Sequence, residues 1–154
     1  MVSSSSSSPA EVTPATPGTA PHLVANGWGR IINISGLAAR QATTISGSTR
    51  NVAVSALTKV LADELGPKGV NVTVVHPGAT RTEKTTALIG ARAAADGITT
   101  AEAETALFGG NVIGRIVDAA EIGGIVAFLA SPRADAITGD AIAAGGGTPR
   151  AIHY

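Results

Sequence analysis

Ala56-Leu57-Thr58-Lys59-Val60-Leu61-Ala62-Asp63-Glu64-Leu65-Gly66-Pro67-Lys68-Gly69-Val70-Asn71-Val72-Thr73-Val74-Val75-His76-Pro77-Gly78 changes its structural period halfway along. Its first half closes a helix over 51–65, where Ser55, Thr58, Lys59, Asp63 and Glu64 recur at helical spacing. Val52, Ala53, Val54, Ala56, Leu57, Val60 and Leu61 then form an apolar face too broad for one contact surface. Gly66-Pro67 stops the helix, because proline cannot continue it. The β-branched run Val70–His76, closed by Pro77-Gly78, predicts a buried strand. A helix feeding such a strand through so short a stop points to a parallel α/β sheet.

The flanks extend that pattern. Upstream, Arg30-Ile31-Ile32-Asn33-Ile34-Ser35 between Gly29 and Gly36 predicts another buried strand, followed by a loop with Gln41, Thr43, Thr44 and Ser46. Downstream, helices are expected near 83–95 and 100–108, the second opened by a capping box of Thr99 with Glu102. Asp118 with Glu121 opens a further helix through Ala130, ended by Ser131-Pro132, with Ile122, Ile125, Val126 and Leu129 as its buried stripe. A last strand over 140–144 runs into Gly145-Gly146-Gly147. The fold class is α/β, about three parallel strands with flanking helices and right-handed crossovers.

Composition narrows the function. The 154 residues carry 11 Lys+Arg against 11 Asp+Glu, scattered singly, so there is no basic stripe for a nucleic acid to follow. Two Phe, one Tyr and one Trp offer little for bases to stack on, and the absence of cysteine excludes disulfides and Cys-based zinc sites. No His pair has metal-ligand spacing, and no apolar run approaches the ~20 residues of a membrane span. Residues 1–21, with six serines from Ser3 to Ser8 and Pro9, Pro14, Pro17 and Pro21, read as a disordered tail. They lack the basic and apolar regions of a secretory signal, so a cytoplasmic location is expected. Residues 22–154 form the single domain.

Several segments in this order resemble the C-terminal half of the short-chain dehydrogenase/reductase (SDR) family. They are Gly27–Ser35, Ala56–Pro67, Val70–Val72 through His76-Pro77-Gly78 to Thr82, Glu121–Gly123 with Phe128–Pro132, and Thr138-Gly139-Asp140 leading to Gly146-Gly147. The resemblance implies part of a doubly wound, Rossmann-like sheet and hydride transfer between NAD or NADP and an alcohol or ketone. In that family a Ser polarises the carbonyl, a Tyr handles the proton, and a Lys four residues later lowers the Tyr pKa. The four-residue spacing puts the last two on one helix face.

Counting back from Lys59 places the Lys position at Asn51 and the Tyr position at Gly47; the Ser position is Gly36. None keeps the family's chemistry. A slip of one residue finds Ser46 and Arg50, but an aliphatic hydroxyl is far less acidic than a phenol. Pro77, Gly78 and Thr82 match the segment that closes over the nicotinamide and are the candidate cofactor contacts, although without the other half a strand-ending turn with an ordinary Thr is the favoured reading. No Gly-rich strand–turn–helix, the usual phosphate cradle, precedes Trp28, and the glycines at 145–147 open no helix.

Three readings follow. The chain is an SDR oxidoreductase by ancestry, truncated, inactive alone and unable to hold NAD(P); or it is a non-catalytic module pairing with itself or a related subunit; or it is an active enzyme whose groups are displaced to Ser35, Ser46 or His76. A homo-oligomer is expected, since the 30–35 strand would have a free edge and the 51–65 helix excess apolar surface. Hydrogen exchange tests the tail: amides of 1–21 should be unprotected, and strong protection across them would contradict the assignment.

Overall fold

The computed structural model describes residues 18–150. The elements run α1 (Ala20–Ala25), β1 (Gly29–Ile34), a 3-10 turn (Leu37–Ala39), α2 (Ile45–Leu65) and a second 3-10 turn (Gly66–Lys68). Then come β2 (Val70–Pro77), α3 (Glu83–Asp96), α4 (Thr100–Phe108), α5 (Ala119–Ala130) and β3 (Ala141–Ala144). The three strands form one sheet in the order β1-β2-β3. Both pairings are parallel, with Gly29 opposite Val70, Ile34 opposite Val75, and Val74 opposite Ala141.

The central strand is buried on both faces, which is why it reads as a continuous β-branched run rather than an alternation. Val70 and Val72 meet Leu61, Ala62 and Leu65 of α2, with Ile31 and Leu57 at the margin. Val75 faces the other way, onto Leu129, with Ile122 and Ile125 of α5 and Ile32 of β1 around it. Each such large apolar side chain contributes roughly 1.5–3 kcal/mol when taken out of water. The turn into β2 needs a glycine: Gly69 has φ +82°, and a Cβ there would lie 2.1 Å from the Gly27 carbonyl oxygen.

α3 and α4 make a small cluster of their own, from Ile89, Ala93 and Ala103. Arg81 ties it to the sheet domain, pairing at 2.9 Å with Glu104 and at 2.8 Å with Asp118. Thr99 and Glu102 cap each other as expected, the Thr99 N–H donating to Glu102 Oε2 at 2.8 Å. At α5 the Asp118 N–H donates to Glu121 at 2.9 Å, while the Asp118 carboxylate is taken by Arg81.

Three expectations need correction. The helix expected over 51–65 begins at Ile45, because Thr44 caps it by accepting the Gly47 N–H at 3.1 Å. Its buried face is also different. Thr58 is 1 % exposed, whereas Val52 and Val60, assigned to the broad apolar face, are 50 % and 62 % exposed. Thr58 can be buried because its hydroxyl donates to the Val54 carbonyl at 2.8 Å, and Ser55 does the same to Asn51 at 3.2 Å. Finally, Ala20 and Pro21, placed in the tail, open α1, where proline is tolerated in a first turn. Residues 1–17 of that tail lie outside the described residues.

Candidate functional site

Parallel sheets offer a crevice at the C-terminal ends of their strands. Here that end gathers Ser35 and Gly36 after β1, His76, Pro77 and Gly78 at the end of β2, and Gly145 after β3. Gly78 and Gly145 approach so closely that a Cβ on Gly78 would lie 2.7 Å from the Gly145 Cα. Beside them opens a cleft of about 160 Å³ lined by Leu37, Gln41, Ala79, Phe108 and Asn111.

Each sequence-derived position can now be placed. Gly36 stands against Asn51, whose Nδ2 would be 3.4 Å from a Cβ at 36. Gly47 lies one turn before Asn51, so the three positions do share this end of the α2–sheet interface. A Cβ at Gly47 would come within 2.7 Å of Thr44 Oγ1, the helix cap. Pro77 is the last residue of β2. Thr82 is the N-cap of α3: its hydroxyl accepts the Thr85 N–H at 3.3 Å, and its own N–H donates to Thr85 Oγ1 at 2.7 Å. Ser46 is exposed at the start of α2, away from any partner acid or base described there.

What sequence reasoning missed is a chain of buried polar contacts between α2 and the sheet. Asn33 Nδ2 donates to Thr58 Oγ1 at 2.9 Å, and Ser35 Oγ donates to Asn51 Oδ1 at 2.9 Å. Ser55 Oγ lies 3.2 Å from His76 Nε2. Since the Ser55 proton goes to the Asn51 carbonyl, Ser55 receives the Nε2–H of a neutral His76. The other ring nitrogen, Nδ1, is buried without a partner among the described residues. His76 is 1 % exposed, so it is a core residue. A readable signal existed: Asn33 and Ser35 are two apart on β1, while Asn51, Ser55 and Thr58 follow the i, i+4, i+7 stripe of a helix.

Among the described residues no phosphate cradle is present. β1 and β2 are each followed by a single glycine, and the three-glycine run after β3 leads to no described helix. Thr82 Oγ1 accepts the Thr85 N–H as the cap of α3.

A family profile described as enoyl-(acyl carrier protein) reductase matches residues 8–148. The chain belongs to the SDR family. It is 35 % identical over 133 residues to the short-chain reductase protein NovJ of Streptomyces niveus, covering 83 % of this chain and 48 % of that one. It is equally 35 % identical over 121 residues to the 3-oxoacyl-[acyl-carrier-protein] reductase FabG of Vibrio cholerae, covering 77 % of this chain and 45 % of that protein. A solved short chain dehydrogenase/reductase family protein superposes with TM-score 0.67 at 35 % identity, over 83 % of this chain and 48 % of that one. L-sorbose reductase from Gluconobacter frateurii, at 22 % identity, shares the fold with TM-score 0.77 over 86 % of this chain and 52 % of that one. The chain spans about half the length of the curated relatives it matches. The expected parallel α/β fold and the SDR resemblance are both borne out. No described helix is long and apolar enough to cross a membrane.

His76 gives this SDR core a pH dependence. Burial, then the positive charge of Arg40, lowers its pKa below the ordinary 6.5. The unfolded chain therefore binds this proton more readily than the folded one. The stabilisation is complete above pH 6.5 and is lost as pH falls from there through the lowered folded value. Thermal unfolding midpoints should fall over that window, and His76→Asn should flatten this part of the profile; an unchanged slope in the variant would contradict it.

Proposed function

We propose that this chain supplies the carbonyl-facing end of an NAD(P)-dependent SDR oxidoreductase and transfers no hydride by itself. One observation carries the reading. The positions where a phenol and an ammonium would work together hold Gly47, with no side chain, and Asn51, a neutral amide already paired with Ser35. No group there can take up or give a proton near neutral pH. The same geometry supports this reading over the displaced-group alternative. Ser35 spends its only proton on Asn51, and His76 is sealed in the core.

NAD or NADP would be the cofactor of the completed unit, held chiefly by residues outside this described half. Relatives support that class: one is named the NADPH-dependent reductase BacG of Bacillus subtilis, 31 % identical over 129 residues. Pro77 and Gly78 would face the nicotinamide through backbone, with Thr82 contributing only by shaping the turn. A cytoplasmic setting belongs to the same proposal.

A pair of fusions tests it. Gly36→Ser, Gly47→Tyr and Asn51→Lys together should give no ketone reduction in the 154-residue chain, because the described residues offer no phosphate cradle to hold hydride donor and carbonyl in line. The same triple variant, fused behind the cofactor-binding half of an intact relative, should reduce ketones with NAD(P)H. The unsubstituted fusion should stay near background. Comparable turnover without the substitutions would overturn the assignment of Gly36, Gly47 and Asn51.

A specific observation also favours self-association or pairing with a related subunit. β1 pairs with β2 on one side and with no described strand on the other, and Val52 and Val60 project from α2 half-exposed or more. Light scattering should report dimers or larger species, and Val52→Lys with Val60→Lys should shift them toward monomer. A stable monomer from the unsubstituted chain would contradict this part.

A further inference from the structure

His76 lies near the end of β2 under a roof made by two elements. From α2, Ser55 Oγ receives the Nε2–H of the ring at 3.2 Å. The 3-10 turn after β1 packs on α2 and β2, and from its end Arg40 reaches over the sheet to donate Nη2–H to the Ala141 carbonyl at 2.6 Å. Ala141 is two residues before Ala143, which stands opposite His76 in the β2–β3 ladder. The charge that acts on the ring is that of Arg40. The other groups around it are neutral: Asn51, Ser55 and Thr58 along α2, Ser35 at the end of β1, and Ala143 of β3. Among the described residues Arg40 has no carboxylate partner.

A second proton on this ring has no place in the packed arrangement. The neutral ring leaves Nδ1 bare, buried and without a partner among the described residues. Protonation would turn Nδ1 into a buried donor facing no acceptor and would set a positive charge beside Arg40. Withdrawing Arg40 relieves both, by separating the charges and letting water reach Nδ1. The turn is also the part that yields most readily. α2 is held by Leu61, Ala62 and Leu65 on Val70 and Val72, whereas the Leu37–Ala39 turn has no buried residue and no side-chain cap. Its hydrogen bonds to the β3 side are Arg40 to Ala141 and Gln41 Nε2 to Thr148 Oγ1 at 3.2 Å.

We propose that protonation of His76 expels Arg40 from the Ala141 carbonyl and releases the turn at 37–41, an acid-operated opening of the cleft that this turn walls. Leu37 and Gln41 line that cleft, so its width follows the turn. In the released state the ring meets water and takes its proton at the ordinary 6.5, while in the closed state burial and then Arg40 push that value down. The closed state is therefore fully favoured above pH 6.5. Below it the ratio of released to closed rises by up to about tenfold per pH unit, until the lowered value is passed. The apolar lock between α2 and β2 contains no titratable group and stays in place. The device concerns the shape of this end of the sheet and holds whether or not the completed unit transfers hydride.

Amide hydrogen exchange of the 154-residue chain at pH 8 and pH 5, corrected for the intrinsic pH dependence of exchange, tests the switch. The Ala39 and Arg40 amides, bonded to the Gly36 and Leu37 carbonyls at 3.0 and 2.8 Å, should lose protection by about fivefold or more at the lower pH. Leu61 and Val72 should keep theirs. His76→Gln, whose amide can still donate to Ser55 but takes no proton, should hold the turn equally protected at both pH values. Arg40→Met, which removes the tie to Ala141, should leave it equally unprotected at both. If His76→Gln fails to fold, the unsubstituted chain carries the test: the His76 ring resonance, identified by its contact with Ser55, should titrate with the same midpoint as the loss of turn protection. Unchanged protection of the turn, loss of protection at Leu61 and Val72 along with it, acid release that persists in His76→Gln, or midpoints more than half a pH unit apart would each overturn the proposal.

Discussion

The seating of α2 on the sheet sets everything else in this molecule. Leu61, Ala62 and Leu65 lock onto Val70 and Val72, with Leu57 and Ile31 alongside. From Leu61 back to Asn51 the helix travels about 15 Å at ~1.5 Å per residue. From Ile31 to Ser35 the chain advances about 13 Å at ~3.3 Å per residue. The two distances nearly match, so an apolar lock at one end delivers Asn51 to Ser35 and Gly36 at the other. A slip of one residue in the lock would rotate α2 by about 100° and break that contact.

Along this single interface the chemistry changes character. Its N-terminal end, by strand direction, is valine and leucine; its C-terminal end is Asn33 with Thr58, Ser35 with Asn51, and Ser55 with His76. Burying polar groups is tolerable only when they are hydrogen-bonded. Here the helix itself helps, since Ser55 and Thr58 each give their proton to a carbonyl one turn earlier. The buried atom left over in this seam is His76 Nδ1, at the end of β2 where α/β sheets bind ligands.

That same device explains what the sequence could and could not convey. The strand at 70–77 was legible because a strand covered on both faces has to be β-branched nearly throughout. Thr99 with Glu102 was legible because a cap is a local affair of four residues. The inward face of α2 was not, since a hydroxyl that satisfies itself within the helix behaves as a small apolar group, and hydrophobic periodicity does not register it. The start of α2 was hidden for a related reason. Thr43, Thr44, Ser46, Gly47 and Ser48 have loop composition, and only Thr44's cap turns them into a first turn. Thr82 matched a family contact by position, but its hydroxyl and N–H both serve the α3 cap.

The neutral residues at 36, 47 and 51 also form a self-consistent set. Lysine alone at 51 would carry an ammonium into a position that is now 8 % exposed, with no anion at Gly47 to offset it. Tyrosine alone at 47 would push its Cβ into Thr44 Oγ1 and disturb the cap that starts α2. A side chain at 36 would cover the Asn51 amide. Lysine at 51 thus costs something that tyrosine at 47 would offset, because phenolate and ammonium stabilise one another. With neither present, an uncharged asparagine held by Ser35 is the arrangement this interface can bury. Asn33 with Thr58, Ser35 with Asn51 and Ser55 with His76 thus join α2 to the sheet through uncharged groups alone.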